Sequence, residues 1–210
     1  MNTTQVLETL QKSYPGARYY LNFKTPLELL VAAILSAQVR DEVVNESTLA
    51  LFAKYKAAKD YANASVDELL KFVGKVTFAG NKVNNIIAAC KILHEKYNGK
   101  VPQNIDELVE LPGIGRKTEI VILTNAFDIV DGVVVDTHVI RVSYRLGWTR
   151  NTNPEKIEAD LNKAIEKQWI KKTQWLLKAH GRAVCKAPTP VCSKCPVFSL
   201  CPRQGVTKSL

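Results

Sequence analysis

Lys117 follows a glycine hairpin, LPGIGRKT at residues 111–118, in which Gly113 and Gly115 are one residue apart. Glycines at this spacing let backbone N–H groups approach a large anion, and the N-terminus of a following helix adds partial positive charge. We therefore expect the hairpin to bind a nucleic-acid phosphate through its backbone, which positions a protein without reading bases. A helix C-cap glycine beside a flexible neighbour is the simpler alternative. A P-loop is disfavoured because it needs four residues between its glycines.

The amine of Lys117 is the first candidate nucleophile. It falls in the first turn of the helix predicted after the hairpin, where the helix dipole and the neighbouring charge of Arg116 both disfavour the protonated amine. A lysine that gives up its proton readily can attack a carbonyl-like carbon and form a Schiff base. The alternative is a surface lysine that only contacts phosphate.

Asp136 lies in the segment VVVDTH, where a helix is expected to begin at Thr137. Its local role is that of an N-cap, whose carboxylate accepts backbone N–H groups of the first turn. A capping carboxylate is held rigidly, so it can also face a positive charge that develops during a reaction. His138 could serve beside it, although a lone histidine in such a position more often makes a structural hydrogen bond.

The C-terminal region contains four cysteines, Cys185, Cys192, Cys195 and Cys201, in the spacing C-x6-C-x2-C-x5-C. Four thiolates brought together indicate a tetrahedral zinc ion or an iron–sulfur cluster, and the spacing does not choose between them. A structural clamp is the expected role, because no electron partner is evident. Cys90 lies on an apolar helix face and is expected in the core.

The elements that position these residues are predicted to be helices. Helix starts are indicated by Thr25 with Glu28, Ser65 with Glu68 and Thr152 with Glu155, each pair a capping residue and a glutamate three positions later. Apolar residues of helical spacing follow each of them. Strand patterns are almost absent, and Val133–Val135 is predicted to be a connector.

Composition restricts the class of partner. The 210 residues include 29 lysines and arginines against 20 acids, a net charge of +9 that favours a polyanion such as nucleic acid. A charge that only maintains solubility is the alternative. The sequence has no apolar stretch of membrane-spanning length and no secretory signal at its N-terminus, so we expect a cytoplasmic, nucleoid-associated protein without a membrane partner.

With the hairpin, Asp136 and the cysteines in view, the chain resembles the endonuclease III family of helix-hairpin-helix DNA glycosylases. The likeness runs from TPLELLVAAILSAQVRDEVVN through GNKVNNI, LPGIGRKT, VDTHVIRV and HGRAVC to the last cysteine. It implies an all-α fold in which two helical domains flank a DNA-binding groove. Residues 20–130 would form a six-helix barrel domain with the hairpin motif, and residues 1–19 and 131–210 an iron–sulfur cluster domain.

The resemblance also implies residue roles. Lys117 would attack the sugar C1′, Asp136 would assist, and the four cysteines would hold a [4Fe-4S] cluster. Gln38 would fill the gap left by a flipped nucleotide, Asp41 would line the base pocket, and Phe78 would be the wedge on the other strand. The residues expected to contact DNA are Gln38, Asp41, Phe78, Leu111, Gly113, Gly115, Arg116, Thr118 and His138.

The implied activity is that of a bifunctional DNA glycosylase and AP lyase of base excision repair. It would act as a monomer on double-stranded DNA that contains oxidised pyrimidines or abasic sites, and cut the strand by β-elimination. The alternatives are a monofunctional uracil or mismatch glycosylase, which would use water in place of the lysine, and a DNA-binding protein without catalysis.

Three departures from the family pattern affect these expectations. Arg40 stands where a small polar residue is usual, which bears on base preference, and the segment between Lys117 and Asp136 has one extra residue. The segment KAPTPV between the first two cysteines carries only Lys186 as a charge, so we expect a weaker contribution to DNA backbone binding.

Overall fold

A computed structural model describes residues 2–210 and divides the chain into two compact units. One unit is Tyr20–Ile129, and the other combines Met1–Tyr19 with Val130–Leu210. Within residues 2–210 the regular structure consists of eleven α-helices and two short 3-10 helices, without a strand. The all-α prediction is therefore confirmed, and Val133–Val135 is a connector. The assignment of one domain to the hairpin motif and of the other to an iron–sulfur cluster stays a prediction.

The unit Tyr20–Ile129 is a helical bundle. Its helices are α2 (Pro26–Ser36), α3 (Asp41–Lys54), α4 (Ala58–Ala62), α5 (Val66–Val73), α6 (Ala79–Lys96), α7 (Ile105–Val109) and α8 (Arg116–Ala126). Seven segments are present where six helices were expected, because extended backbone at Tyr55 and Ala57 separates the short α4 from α3.

Two helices of this unit are buried on nearly every side. In α2 the side chains of Leu27 and of residues 29–35 are buried, and α8 buries residues 119–124. Apolar helices of this kind belong in the centre of a bundle, and α2 and α8 pack against each other. The glycine hairpin, which leads directly into α8, is therefore anchored to a buried helix.

Helix starts follow local capping chemistry. The hydroxyl of Thr25 accepts the N–H of Glu28 at 3.2 Å, and Ser65 forms a capping box with Glu68. The start predicted at Thr152 is wrong by one residue, because Asn153 caps the helix Pro154–Ala164 and accepts the N–H of Glu155 at 2.9 Å. Pro154 fixes this register, since proline suits the first helical position and requires extended backbone before it.

The second unit is built around one apolar core. Its helices are α1 (Thr3–Ser13), α9 (Thr137–Arg145), α10 (Pro154–Ala164) and α11 (Lys167–Ala183), followed by 3-10 turns at Cys192–Lys194 and Phe198–Leu200. The core includes Leu7, Leu10, Val139, Val142, Ile157, Leu161, Leu176 and Leu177. Because α11 packs against both α1 and α9, it is the central helix of this unit.

Among the described residues, no helix combines the length and the hydropathy that crossing a membrane would require.

Candidate functional site

The glycine hairpin is a tight turn held by its own backbone and by two apolar anchors. The N–H of Leu111 donates to the carbonyl of Leu108, and the N–H of Ile114 to that of Leu111, both at 3.1 Å. The side chains of Leu111 and Ile114 are 1% and 7% exposed. A contact between Leu111 and DNA would therefore have to come from its backbone rather than from its side chain.

The two hairpin glycines differ in whether the fold needs them. Gly113 has φ +83°, and a Cβ there would lie 3.1 Å from Cβ and Nδ2 of Asn85, so the fold itself needs glycine. Gly115 has extended backbone with φ −117°, and no atom lies within 4 Å of the place its Cβ would take. The fold does not need glycine at 115, so its missing side chain leaves open space at the N-terminus of α8.

Lys117 occupies the second position of α8 and is exposed. It forms no ion pair within the described chain, whereas its neighbour Arg116 bonds through Nη1 to Oε1 of the buried Glu119 at 2.9 Å. The N–H groups of the first helical residues have no acceptor inside the helix. Lys117, Arg116 and the half-buried Thr118 thus surround a helix N-terminus that favours anions.

Gln38 and Phe78 share an uncommon backbone conformation. Each has φ +57°, in the left-handed region that residues other than glycine seldom adopt. Gln38 follows the C-cap of α2, and Phe78 directly precedes α6 with 65% of its surface exposed. Such conformations are unfavourable and persist where surrounding structure enforces them, often at ligand-binding sites. Asp41, half-buried, begins α3 just beyond the exposed Arg40.

A buried lysine that we did not predict lies between these two segments. Nζ of Lys82 donates to the carbonyls of Leu35 at 2.9 Å and Ala37 at 2.5 Å, and the side chain is 7% exposed. Burial lowers the pKa of Lys82. One signal was present in the sequence, because Lys82 lies four residues before the buried Ile86, on the inward side of α6.

Asp136 caps α9 as predicted. Its Oδ1 accepts the N–H of His138 at 2.8 Å and that of Val139 at 2.9 Å. Its Oδ2 accepts the side-chain amide of Gln174 at 3.3 Å, a contact from α11 that the sequence did not reveal. The half-buried carboxylate is therefore fixed by donors from two helices.

His138 is held as a neutral hydrogen-bond acceptor. Burial lowers its pKa, the charge of Asp136 opposes this shift, and Arg141, Lys178 and Arg182 add to it. Nη2 of Arg141 donates to Nδ1 of His138 at 3.1 Å. A neutral imidazole that accepts at Nδ1 carries its proton on Nε2, so Nε2 of His138 is a donor.

All four C-terminal cysteines line one pocket. Cys185 and Cys192 are buried, and Cys195 and Cys201 are partly buried. The other lining side chains are mostly apolar: Val142, Leu146, Val184, Pro190, Phe198 and Val206, with Arg145, His180 and Arg203. None of the cysteines in the described residues forms a disulfide.

Two arginines of α9 hold the loop after the first cysteine. Arg145 donates from Nη1 to the carbonyl of Lys186 at 2.7 Å and from Nη2 to that of Pro188 at 2.9 Å. Its Nη1 also lies 3.4 Å from Sγ of Cys185, and Nε of Arg141 donates to the Cys185 carbonyl at 3.0 Å. These cations would compensate the charge of thiolates in an otherwise apolar cavity.

His180 connects this cavity to the N-terminal helix. It is 2% exposed, and burial lowers its pKa to about 4. Its Nδ1 lies 3.0 Å from the hydroxyl of Tyr14, and its Nε2 lies 3.7 Å from Sγ of Cys195. A neutral imidazole has one N–H, so His180 can donate to only one of these partners at a time.

The arrangement of the cysteines bears on which group they could hold. Within residues 2–210, no three or more His, Cys, Asp or Glu side chains approach one another closely enough to hold a single metal ion. Four cysteine thiols around one pocket are the ligand set that iron–sulfur clusters use, and the same set also holds structural zinc. The donor set therefore fits an iron–sulfur cluster.

Comparison with known proteins places these features in one family. Residues 31–167 match the HhH-GPD superfamily of base excision DNA repair proteins. The chain is 46% identical to endonuclease III of Synechocystis sp. over 95% of this chain and 91% of that protein. It is 41% identical to endonuclease III of Bacillus subtilis over 95% and 90% of the two chains.

A solved structure extends the similarity to the fold. The structure of a trapped covalent intermediate between an endonuclease III and DNA aligns with a TM-score of 0.88 at 40% identity. The alignment covers 95% of this chain and 94% of that one. The similarity therefore includes both compact units of the chain.

Proposed function

The chain belongs to the endonuclease III family of HhH-GPD base excision DNA repair proteins, and we propose that it removes oxidised pyrimidines from duplex DNA. It is a DNA glycosylase with AP lyase activity. The observation that carries the finer proposal is the exposed amine of Lys117 in the first turn of α8, next to the open space at Gly115.

DNA binding by the hairpin is expected to involve the backbone alone. The free N–H groups at the start of α8 would hold a phosphate of the damaged strand, and the absent side chain at Gly115 would permit close approach. Arg116 and Thr118 would contribute at its edges, and Nε2 of His138 would donate to another phosphate oxygen. These contacts carry no base preference.

Base removal requires the damaged nucleotide to leave the stack, because an atom inside a duplex is out of reach. Phe78, exposed at the start of α6, would separate the bases of the opposite strand. Gln38 would occupy the space left by the extruded nucleotide, and Asp41 would line the pocket for the extruded base. A lesion that pairs or stacks poorly is extruded at the lowest cost, which would begin the selection for damage.

The chemistry would begin at the Lys117 amine. Its nitrogen attacks the sugar C1′, the bond from C1′ to the base breaks, and the base departs with that electron pair and takes up a proton. The C1′–O4′ bond then breaks, O4′ takes up a proton, and an open-chain iminium ion remains whose charge makes a proton on C2′ acidic. A base such as water removes this proton, and the C3′–O bond breaks with its electron pair leaving on the 3′ phosphate, which cuts the strand.

Asp136 would support these steps without forming a bond. Its carboxylate is held by His138, Val139 and Gln174, so it needs little reorganisation when charge changes during the reaction. It would stabilise the cationic sugar or move a proton.

The four cysteines would hold a [4Fe-4S] cluster, with Arg145 and His180 near their sulfurs. When bound, the cluster would supply iron–sulfur bonds that join the end of α11 to the C-terminal turns. We further propose that the enzyme acts as a monomer in the cytoplasm, in association with the nucleoid.

Borohydride trapping tests the proposal, because this reagent reduces an imine to a stable amine. Wild-type protein mixed with duplex containing an oxidised pyrimidine should become covalently joined to DNA. Lys117→Gln should still bind the lesion but neither trap nor cut it. Lys167→Gln, an exposed lysine in the first turn of α11, is the control and should behave as wild type.

The same assay separates the alternatives. A monofunctional glycosylase would release the base without trapping, and a binding protein would leave the base in place. Undiminished trapping by Lys117→Gln would assign the nucleophile to another amine and would overturn the role of Lys117.

A further inference from the structure

Lys82 forms hydrogen bonds with the segment before Gln38 and with Phe78. Its Nζ donates to the carbonyl of Ala37, the residue directly before Gln38. Its backbone N–H makes the ordinary first-turn helix bond to the carbonyl of Phe78 at 3.3 Å, so the helix itself fixes the position of the Lys82 side chain relative to Phe78. One residue in the first turn of α6 therefore links the backbone before Gln38 to the backbone of Phe78.

The link is directional because it consists of hydrogen bonds to specific carbonyls. The last carbonyls of α2 have no partner inside their own helix, and the Lys82 ammonium bonds to those of Leu35 and Ala37. A cation is also favoured at the C-terminus of a helix. An apolar side chain could fill the same volume, but it would leave these carbonyls without this donor.

Burying a lysine is unfavourable unless the charge has partners. The Lys82 ammonium donates to backbone carbonyls at the end of α2. A contact that only packed α2 against α6 could use a leucine or methionine instead. Lys82 places a hydrogen-bond donor where α2 ends, directly before Gln38. The positive φ of Gln38 is an unfavourable backbone conformation that needs such support.

We propose that Lys82 is a positioning residue that sets the separation and orientation of Gln38 and Phe78 for nucleotide extrusion. The proposal rests on the roles given to these two side chains in the proposed function. Lys82 is 7% exposed, so it would act through the turn after α2 and the start of α6 rather than by contacting DNA. Its loss should therefore impair base extrusion while the chemistry at Lys117 is preserved.

The test compares two substrates. One is duplex with an oxidised pyrimidine, which must be extruded, and the other is duplex with a preformed abasic site, which has no base to unstack. Lys82→Met removes the donor and keeps the length of the side chain. Its kcat/KM should fall about 10- to 100-fold on the damaged base, the loss expected when a substrate-positioning group is displaced. On the abasic site it should stay within about threefold of wild type.

Lys91→Met is the matched control, because Lys91 is an exposed lysine of the same helix. It should match wild type on both substrates. A fluorescent adenine analogue beside the lesion reports unstacking directly, and its signal should decrease for Lys82→Met alone. Lys82→Gln retains one donor and should give an intermediate loss, which provides a second variant if Lys82→Met unfolds at the assay temperature.

Three outcomes would overturn the inference. Lys82→Met could match Lys91→Met on the damaged base, it could lose equal activity on both substrates while remaining folded, or it could leave the fluorescence change intact. A wild-type protein inactive on both substrates would instead refute the proposed function. The failures of the two proposals are therefore distinguishable.

Discussion

The side-chain amide of Gln174 donates to Oδ2 of Asp136 at 3.3 Å, on the opposite side of the carboxylate from the N–H groups that Oδ1 caps. Both oxygens of one carboxylate are thus engaged by neutral donors. Neutral donors orient a carboxylate without removing its charge, which also interacts with the guanidinium of Arg141. Asp136 can therefore serve as a helix cap and as a negative charge toward a reacting sugar.

Asp136→Asn should separate these two roles. Asparagine caps helices as well as aspartate does, so the unfolding free energy should change by less than about 1 kcal/mol. The rate of base release under single-turnover conditions should fall by about 100-fold or more, because the charge opposite the sugar is lost. Lesion binding, measured by anisotropy, should remain. An undiminished rate would contradict the electrostatic role.

Gln174→Met is the companion variant. It removes one donor to Asp136 from α11 and preserves the charge of the carboxylate. We expect a smaller loss of rate, about 2- to 10-fold, because the carboxylate is less well oriented but still present. A loss as large as that of Asp136→Asn would mean that orientation, and not charge, accounts for most of the effect.

Alanine substitution of the hairpin glycines should give different phenotypes. Gly113→Ala should lower the unfolding free energy by about 1–2 kcal/mol, since alanine is strained at positive φ. Gly115→Ala should lower it by less, about 0.5 kcal/mol, because alanine is a poorer N-cap than glycine but the backbone there is extended and its surroundings are open. Thermal unfolding of both variants measures this difference.

Gly115→Ala should nevertheless weaken DNA binding. A methyl group at the start of α8 would hold a phosphate away from the N–H groups there, and the loss should be equal for damaged and undamaged duplexes. Filter binding at several salt concentrations gives the affinities. Lost discrimination between lesions with retained affinity would show that the hairpin reads bases.

Iron analysis tests the assignment of the cysteines. The purified protein should be yellow-brown and contain iron and sulfide, and Cys195→Ala should lose most of both. Cys90→Ala is the control, because this buried cysteine lies in α6 and should leave the colour unchanged. A colourless protein with one zinc per chain would contradict the cluster and leave the clamp role intact.

The lowered pKa of His138 predicts that the stability of the protein depends on pH. Burial lowers its pKa in the folded protein, against the opposing charge of Asp136 and with the help of Arg141, Lys178 and Arg182. The unfolded chain therefore binds a proton more readily, so the stabilisation is present above the unfolded pKa of about 6.5 and is lost as pH falls below it. Wild type should lose more unfolding free energy between pH 7.5 and pH 5.5 (roughly one unit on either side of that value) than His138→Asn.

His94→Asn is the control for this measurement, since His94 is exposed near the end of α6. It should retain the pH dependence of wild type. Equal slopes for His138→Asn and wild type would mean that protonation of His138 is not coupled to unfolding.

Features with a local cause were predictable from the sequence. The cap at Asp136 and the capping box at Ser65 depend on residues within one helical turn, so pattern alone identified them. The cap predicted at Thr152 failed because two capping residues compete there, and only the position of Pro154 decides in favour of Asn153. Predicting the first residue of this helix therefore requires the conformational restriction of proline as well as the capping preference of each residue type.

Features that depend on contacts between distant segments were not predictable. The bond from Gln174 to Asp136 spans 38 positions, and the bond from Lys82 to Leu35 spans 47. The side chain of Leu111 lies in the core, because an apolar residue beside a turn can point either way until the bundle closes, and its expected contact with DNA stays a prediction. Such pairings arise from packing and leave little trace in local spacing.

The second compact unit unites both ends of the chain, and this topology has a consequence for biosynthesis. The hydroxyl of Thr3 in α1 donates to the carbonyl of Ala164, 161 positions later. A ribosome therefore releases α1 long before its partner exists, whereas Tyr20–Ile129 is contiguous and can fold as it emerges. We expect the apolar face of α1, with Val6, Leu7 and Leu10, to stay exposed until α11 has been synthesised. During that time chaperones can bind this surface.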